Sequence, residues 1–133
     1  MKCLSIVAGL VALGGLSMSG LASAACPGQP TAATVLSGRT LCVTKPNGDR
    51  YQEFHAANGE LIDFKRGPGH ATDPAKKVGT WAASGNDVVY NYGPGQQYRY
   101  TVHRAGNSNN FCLKGSGEEI RPSAVLQGQA ACP

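Results

Sequence analysis

Hydrophobic and polar positions alternate with period two from Gly38 to Gln127, and turn residues interrupt the alternation at short intervals. Alternation of this kind predicts half-buried β-strands. Arg39 to Lys45 sets Leu41 and Val43 against Thr40, Cys42 and Thr44. Further strands are predicted over Arg50 to Ala56, Glu60 to Lys65, Val78 to Ala83, Asp87 to Tyr92, Gln97 to Arg104 and Asn110 to Lys114. A last one, Glu118 to Gln127, is interrupted by Pro122, which cannot donate to a ladder and so marks a split, a bulge or an edge. Asn47-Gly48, Asn58-Gly59, Ser84-Gly85-Asn86 and Gly93-Pro94-Gly95 supply the turns. No stretch after residue 24 carries the i, i+3, i+4, i+7 spacing of a helix. The expected fold is all-β: an antiparallel meander of about eight short strands, closed into a small barrel or strongly curled sheet.

The alternation also sorts residues onto faces. Tyr98, Tyr100 and Val102 share one face of their strand, and Arg99, Thr101 and His103 the other. Val88, Tyr90 and Tyr92 share a face of the strand before it. A short turn joins these two strands, so the tyrosine faces are expected to adjoin. Packing accounts for such a cluster, and so does a ligand platform built from Tyr90, Tyr92, Tyr98 and Tyr100. Tyr51, Glu53 and His55 form a third row. A carboxylate beside an imidazole suits acid–base chemistry. The simpler expectation places Glu53 and His55 on the solvent face of a half-buried sheet.

The first residues change the picture of where this fold works. Lys2, the apolar run from Leu4 to Leu16, and Ala22-Ser23-Ala24 have the layout of a secretory signal peptide over residues 1–24. Residues 25–37, rich in Pro, Ala and Thr, are expected to be an extended lead-in, and residues 38–133 a single β-barrel-like domain. The expected location is the periplasm or the medium of a Gram-negative bacterium. Lipidation of Cys26 would require a large aliphatic residue three positions upstream, and Ser23 stands there. Once Cys3 leaves with the signal, Cys26, Cys42, Cys112 and Cys132 remain, an even set that suits two disulfides in an oxidising compartment. Cys26–Cys132 with Cys42–Cys112, and Cys26–Cys42 with Cys112–Cys132, are the two favoured pairings.

Charge excludes little. Twelve Lys and Arg fall to eleven without Lys2, and against eight acidic residues the net is +3. That is far below the footprint of a nucleic-acid binder. The basic residues do cluster: Lys65, Arg66, His70, Lys76 and Lys77 fall in or beside the longest connection, Arg66 to Lys77. This loop could meet an anionic surface or an acidic partner. His70 and Asp73 lack the spacing of a metal site, and no P-loop, dinucleotide-binding glycine pattern or serine-nucleophile motif occurs, so no cofactor or metal is expected.

The segments LSGRTLCV, ELIDFKRGPG, DPAKKVGTW and YRYTVH, with a late FC and a terminal ACP, resemble a set of small secreted proteobacterial proteins without an assigned activity. Gly79-Thr80-Trp81 is similar to the G-x-W element of lipocalin-like barrels, in which the Trp plugs one end. The run VVYN, TVH and GNSNNF resembles the end of guanyl-specific ribonucleases, and that resemblance implies Glu53 as base, His103 as acid and Arg99 or Arg50 at the phosphate. Asp87 stands where those enzymes carry Arg, and their helix is missing. The first expectation is therefore an exported, monomeric, non-catalytic domain, without stable membrane insertion, that binds a small ligand, a cell-envelope component or a protein. An inhibitor of a foreign secreted hydrolase and the ribonuclease-like enzyme are the alternatives.

Overall fold

The computed structural model describes residues 26–63 and 75–133. Among them are ten strands: β1 (Gln29–Pro30), β2 (Arg39–Thr44), β3 (Arg50–His55), β4 (Glu60–Asp63), β5 (Lys76–Ser84), β6 (Asp87–Asn91), β7 (Gln97–Arg104), β8 (Phe111–Lys114), β9 (Glu119–Ile120) and β10 (Ala124–Gln127). All pairings are antiparallel. The order is β10-β2-β3-β4-β5-β6-β7-β8-β9, with β1 beside the end of β7. Nine of the ten, β2 to β10, are the predicted eight-strand meander with its last strand divided at Pro122, as Pro requires. The division has a topological consequence. β9 pairs with β8 at one end of the sheet, while β10, four residues later, pairs with β2 at the other. One short segment thus serves both edges, and the sheet curls strongly into a half-barrel.

The concave side carries the core. Leu41, Leu61, Val88, Val102, Phe111, Leu113 and Val125 are buried there. Each such side chain contributes about 1.5–3 kcal/mol relative to exposure. The lead-in differs from the extended form expected of it. Ala33–Leu36 is a 3₁₀ turn whose Ala33 and Leu36 are both fully buried in the same core. Three residues per turn put these two on one face, but a single turn is too short to show as a sequence period.

The disulfides are Cys26–Cys112 and Cys42–Cys132, with Cα–Cα distances of 5.5 and 5.8 Å. Both favoured sequence pairings are thereby corrected. β1 runs against β7, with Gln29 opposite Arg104, and this brings Cys26 within reach of β8. The approach is close enough that a Cβ at Gly28, which has φ +80, would overlap the Arg104 carbonyl. The C-terminal tail lies against β2 and β3. Thr40 Oγ1 donates to the Gly128 carbonyl and accepts from Ala130 N–H, and Cys132 N–H donates to Gln52 Oε1. Cys42 and Gln52 are register partners, so the tail delivers Cys132 to Cys42. Two disulfides fit an extracellular or periplasmic protein. Among the described residues, no helix is long and apolar enough to cross a membrane.

Candidate functional site

The half-barrel interior changes character along its axis because the strand alternation keeps placing tyrosines where aliphatic residues end. On β6 the inward residues run from Val88 to Tyr90, and on β7 from Val102 to Tyr100 and Tyr98. Register places Val88 opposite Tyr100 and Tyr90 opposite Tyr98. The predicted adjoining faces are therefore present. Their rings form a chain: Tyr98 to Tyr92 at 6.1 Å between centroids, Tyr92 to Tyr90 at 6.2 Å, and Tyr90 to Tyr100 at 6.0 Å. All four line an open cavity of about 1020 Å³, with Leu41, Val43 and Leu113 adding apolar wall.

β3 supplies the polar part. Its row Tyr51, Glu53, His55 faces the interior, so the solvent-face expectation for Glu53 and His55 is overturned. His55 is fully buried, with Nε2 2.8 Å from the Tyr90 hydroxyl and its ring edge-on to Trp81 at 5.3 Å. Burial lowers its pKa to about 4 against weaker opposition from the main chain of Arg39 and Glu53, so the ring is neutral near pH 7. Trp81 is buried and donates its indole N–H to the Ala56 carbonyl at 2.9 Å. Gly79 leaves room for β6: a Cβ there would stand 2.5 Å from the Asn91 carbonyl oxygen.

Glu53 borders the cavity and accepts from the Tyr92 hydroxyl at 3.1 and 2.9 Å through its two oxygens. Burial raises its pKa, the Tyr92 hydrogen bond opposes the rise, and Asp63, its register partner on β4, adds to it. Across the cavity, Glu118 accepts from the Tyr100 hydroxyl at 3.0 Å. Burial and then Glu118 push the Tyr100 pKa up to about 12, and burial pushes Tyr90 and Tyr92 up as well. The Tyr92 and Tyr100 phenols are neutral and donate to Glu53 and Glu118.

The other predicted residues divide. Lys65, Arg66 and His70 lie outside the described residues. Lys76 and Lys77 open β5, and Lys77 Nζ pairs with Glu60 at 3.1 Å. The ribonuclease-like set does not assemble. Glu53 faces the interior, while Arg99 alternates to the other face of β7 and pairs with Asp87 at 3.1 Å, His103 shares that outer face, and Arg50 lies on the face of β3 opposite Glu53 and donates to the Pro133 carbonyl. Among the described residues, the one cluster with metal-ligand proximity is Cys26, Cys112 and Glu119, and its two cysteines form a disulfide. Sequence reasoning missed Tyr51, Lys45 and Glu118 as cavity residues. For Tyr51 the period-two row with Glu53 was the available signal. Glu118, after a Gly-Ser-Gly turn, offered none. No protein-family model, no curated protein and no solved structure matches the chain.

Proposed function

We propose that the chain is an exported, non-catalytic binding protein that holds a small ligand in the tyrosine-lined mouth of its half-barrel. The observation that carries this reading is the open cavity, which at about 1020 Å³ matches the upper range of small-molecule sites. Its composition supports the same reading. Aromatic and aliphatic walls surround a few fixed polar groups, and those groups are held by one another through the Tyr92–Glu53 and Tyr100–Glu118 hydrogen bonds. Such preorganisation reduces the ordering cost of binding. Two disulfides support work outside the cytoplasm.

The test is amide and tyrosine-ring NMR of the oxidised protein titrated with a fragment library of mixed charge. Binding in the cavity shifts resonances of Tyr90, Tyr92, Tyr98 and Leu113 together. Tyr98→Ala, at the exposed rim, weakens the same compounds without unfolding the protein. A library that shifts nothing, or shifts only residues on the convex face, overturns the reading.

A further inference from the structure

The four tyrosines and the charges beside them narrow the ligand class. Five charged residues line the cavity: Glu53, Glu118, Glu119, Lys45 and Arg121. Arg121 pairs with Glu119 at 3.0 Å. Lys45 turns to the lip, where its Nζ lies 4.8 Å from the centroid of the Tyr51 ring. Among the described residues, no cation pairs with Glu53 or Glu118, whose side chains instead accept from tyrosyl hydroxyls. Among the described residues, two carboxylates therefore flank a row of four aromatic rings without a positive partner. Aromatic faces attract cations through their quadrupole, and carboxylates through charge. A buried carboxylate without a cation is costly, and here Asp63 opposite Glu53 adds like-charge repulsion.

We propose that the cavity selects organic cations, an alkylammonium or quaternary ammonium group seated among the tyrosine rings with Glu53 and Glu118 as counter-charges. The inference rests on the cavity-binding reading and adds its chemistry. Lys45 on Tyr51 shows the pairing in miniature, an ammonium of the chain itself resting on an aromatic of the cavity lip. An organic cation fits better than a metal ion. The cavity is far larger than one ion, and Glu53 and Glu118 belong to no group of three metal-ligating side chains among the described residues. A neutral sugar would use the rings but leave both carboxylates uncompensated. An anionic ligand would meet them with repulsion.

The experiment is an NMR titration of the oxidised full chain at pH 7.5 with tetramethylammonium, pentane-1,5-diamine, methyl glucoside and hexanoate as probes. Both ammonium probes are expected to shift the cavity tyrosines at concentrations about 10-fold lower than glucoside or hexanoate, as an added charge-assisted contact implies. Glu53→Gln keeps an acceptor for Tyr92 and removes the charge, so it should weaken the ammonium probes about 10-fold and leave the glucoside unchanged. Glu118→Gln, at an exposed position, gives an independent reading of the same effect should Glu53→Gln fail to fold. If glucoside or hexanoate binds in the cavity at least as well as the ammonium probes, the cation inference falls and the binding reading stands. Charge-removal variants that bind ammonium as tightly as the parent also defeat the inference. Shifts from no probe of any class count against both.

Discussion

His55 makes stability fall with acid, and the size of the fall follows from its burial. Its ring is buried against Tyr90 and Trp81 with its pKa lowered to about 4. Above pH 6.5 the imidazole is neutral in the folded and unfolded states alike. As pH drops below 6.5, the unfolded ring gains a proton that the folded ring refuses, and unfolding is favoured until the folded ring also protonates near pH 4. The whole interval is worth about 3 kcal/mol, of which about 2 kcal/mol is lost by pH 5. With a urea slope of about 2 kcal/mol per M, the midpoint should move down by about 1 M between pH 7.5 and pH 5.

Other groups do not mimic this. Glu60, whose carboxyl is held low by Lys77, and Asp87, held low by Thr101 and Arg99, lose their contributions below the ordinary carboxylate values, at the acid end of the scan or beyond it. Glu53 works the other way. Its pKa is raised by burial, so protonation favours the folded state and partly offsets the His55 loss at the acid end. His55→Gln keeps a polar partner for Tyr90 and removes the titration. The assay is urea unfolding followed by far-UV circular dichroism and by fluorescence of Trp81, the single tryptophan. His55→Gln should start less stable at pH 7.5 and lose about 2 kcal/mol less than wild type by pH 5. Parallel losses in the two proteins would refute the reasoning.

Three further outcomes are expected. Non-reducing peptide mapping should join Cys26 to Cys112 and Cys42 to Cys132, and the double change Cys26→Ala with Cys112→Ala should lower stability by about 2–4 kcal/mol in denaturant titration. Gly79→Ala should cost about 1–3 kcal/mol in the same denaturant titration, because its new Cβ presses on the Asn91 carbonyl and forces β5 from β6.

Strand positions were legible because period-two alternation and Asn-Gly or Gly-rich turns are local signals. β7 spans the predicted Gln97 to Arg104, and Pro122 divides the last strand as expected. Which face turns inward is a different kind of fact. On β3, Gln52 and Phe54 occupy one face and Tyr51, Glu53 and His55 the other, so hydrophobicity alone gives no direction. The direction comes from distant partners: Tyr90 on β6 and Tyr92 just after it reach His55 and Glu53, and the C-terminal tail covers Gln52 from outside. The disulfide pairing was hidden for the same reason, since it depends on β1 meeting β7 and on the tail lying along β2 and β3.

The composition of that inward face bears on what the cavity is for. Leu61, Val88, Val102, Phe111 and Leu113 are buried almost completely, and Trp81, Tyr90 and Tyr100 join them in one core cluster. The column from His55 through Tyr90 and Tyr92 to Glu53 is a poor way to gain stability. Buried polar and charged groups at best recover their desolvation, and apolar replacements of similar volume are often neutral or stabilising. Burial disfavours the charge on Glu53, so near pH 7 the interior bears a cost at that group. Chain folding alone does not call for a carboxylate beside a row of tyrosines. A cationic ligand would remove the cost at Glu53 on binding, which is the physical ground of the proposed cation selectivity.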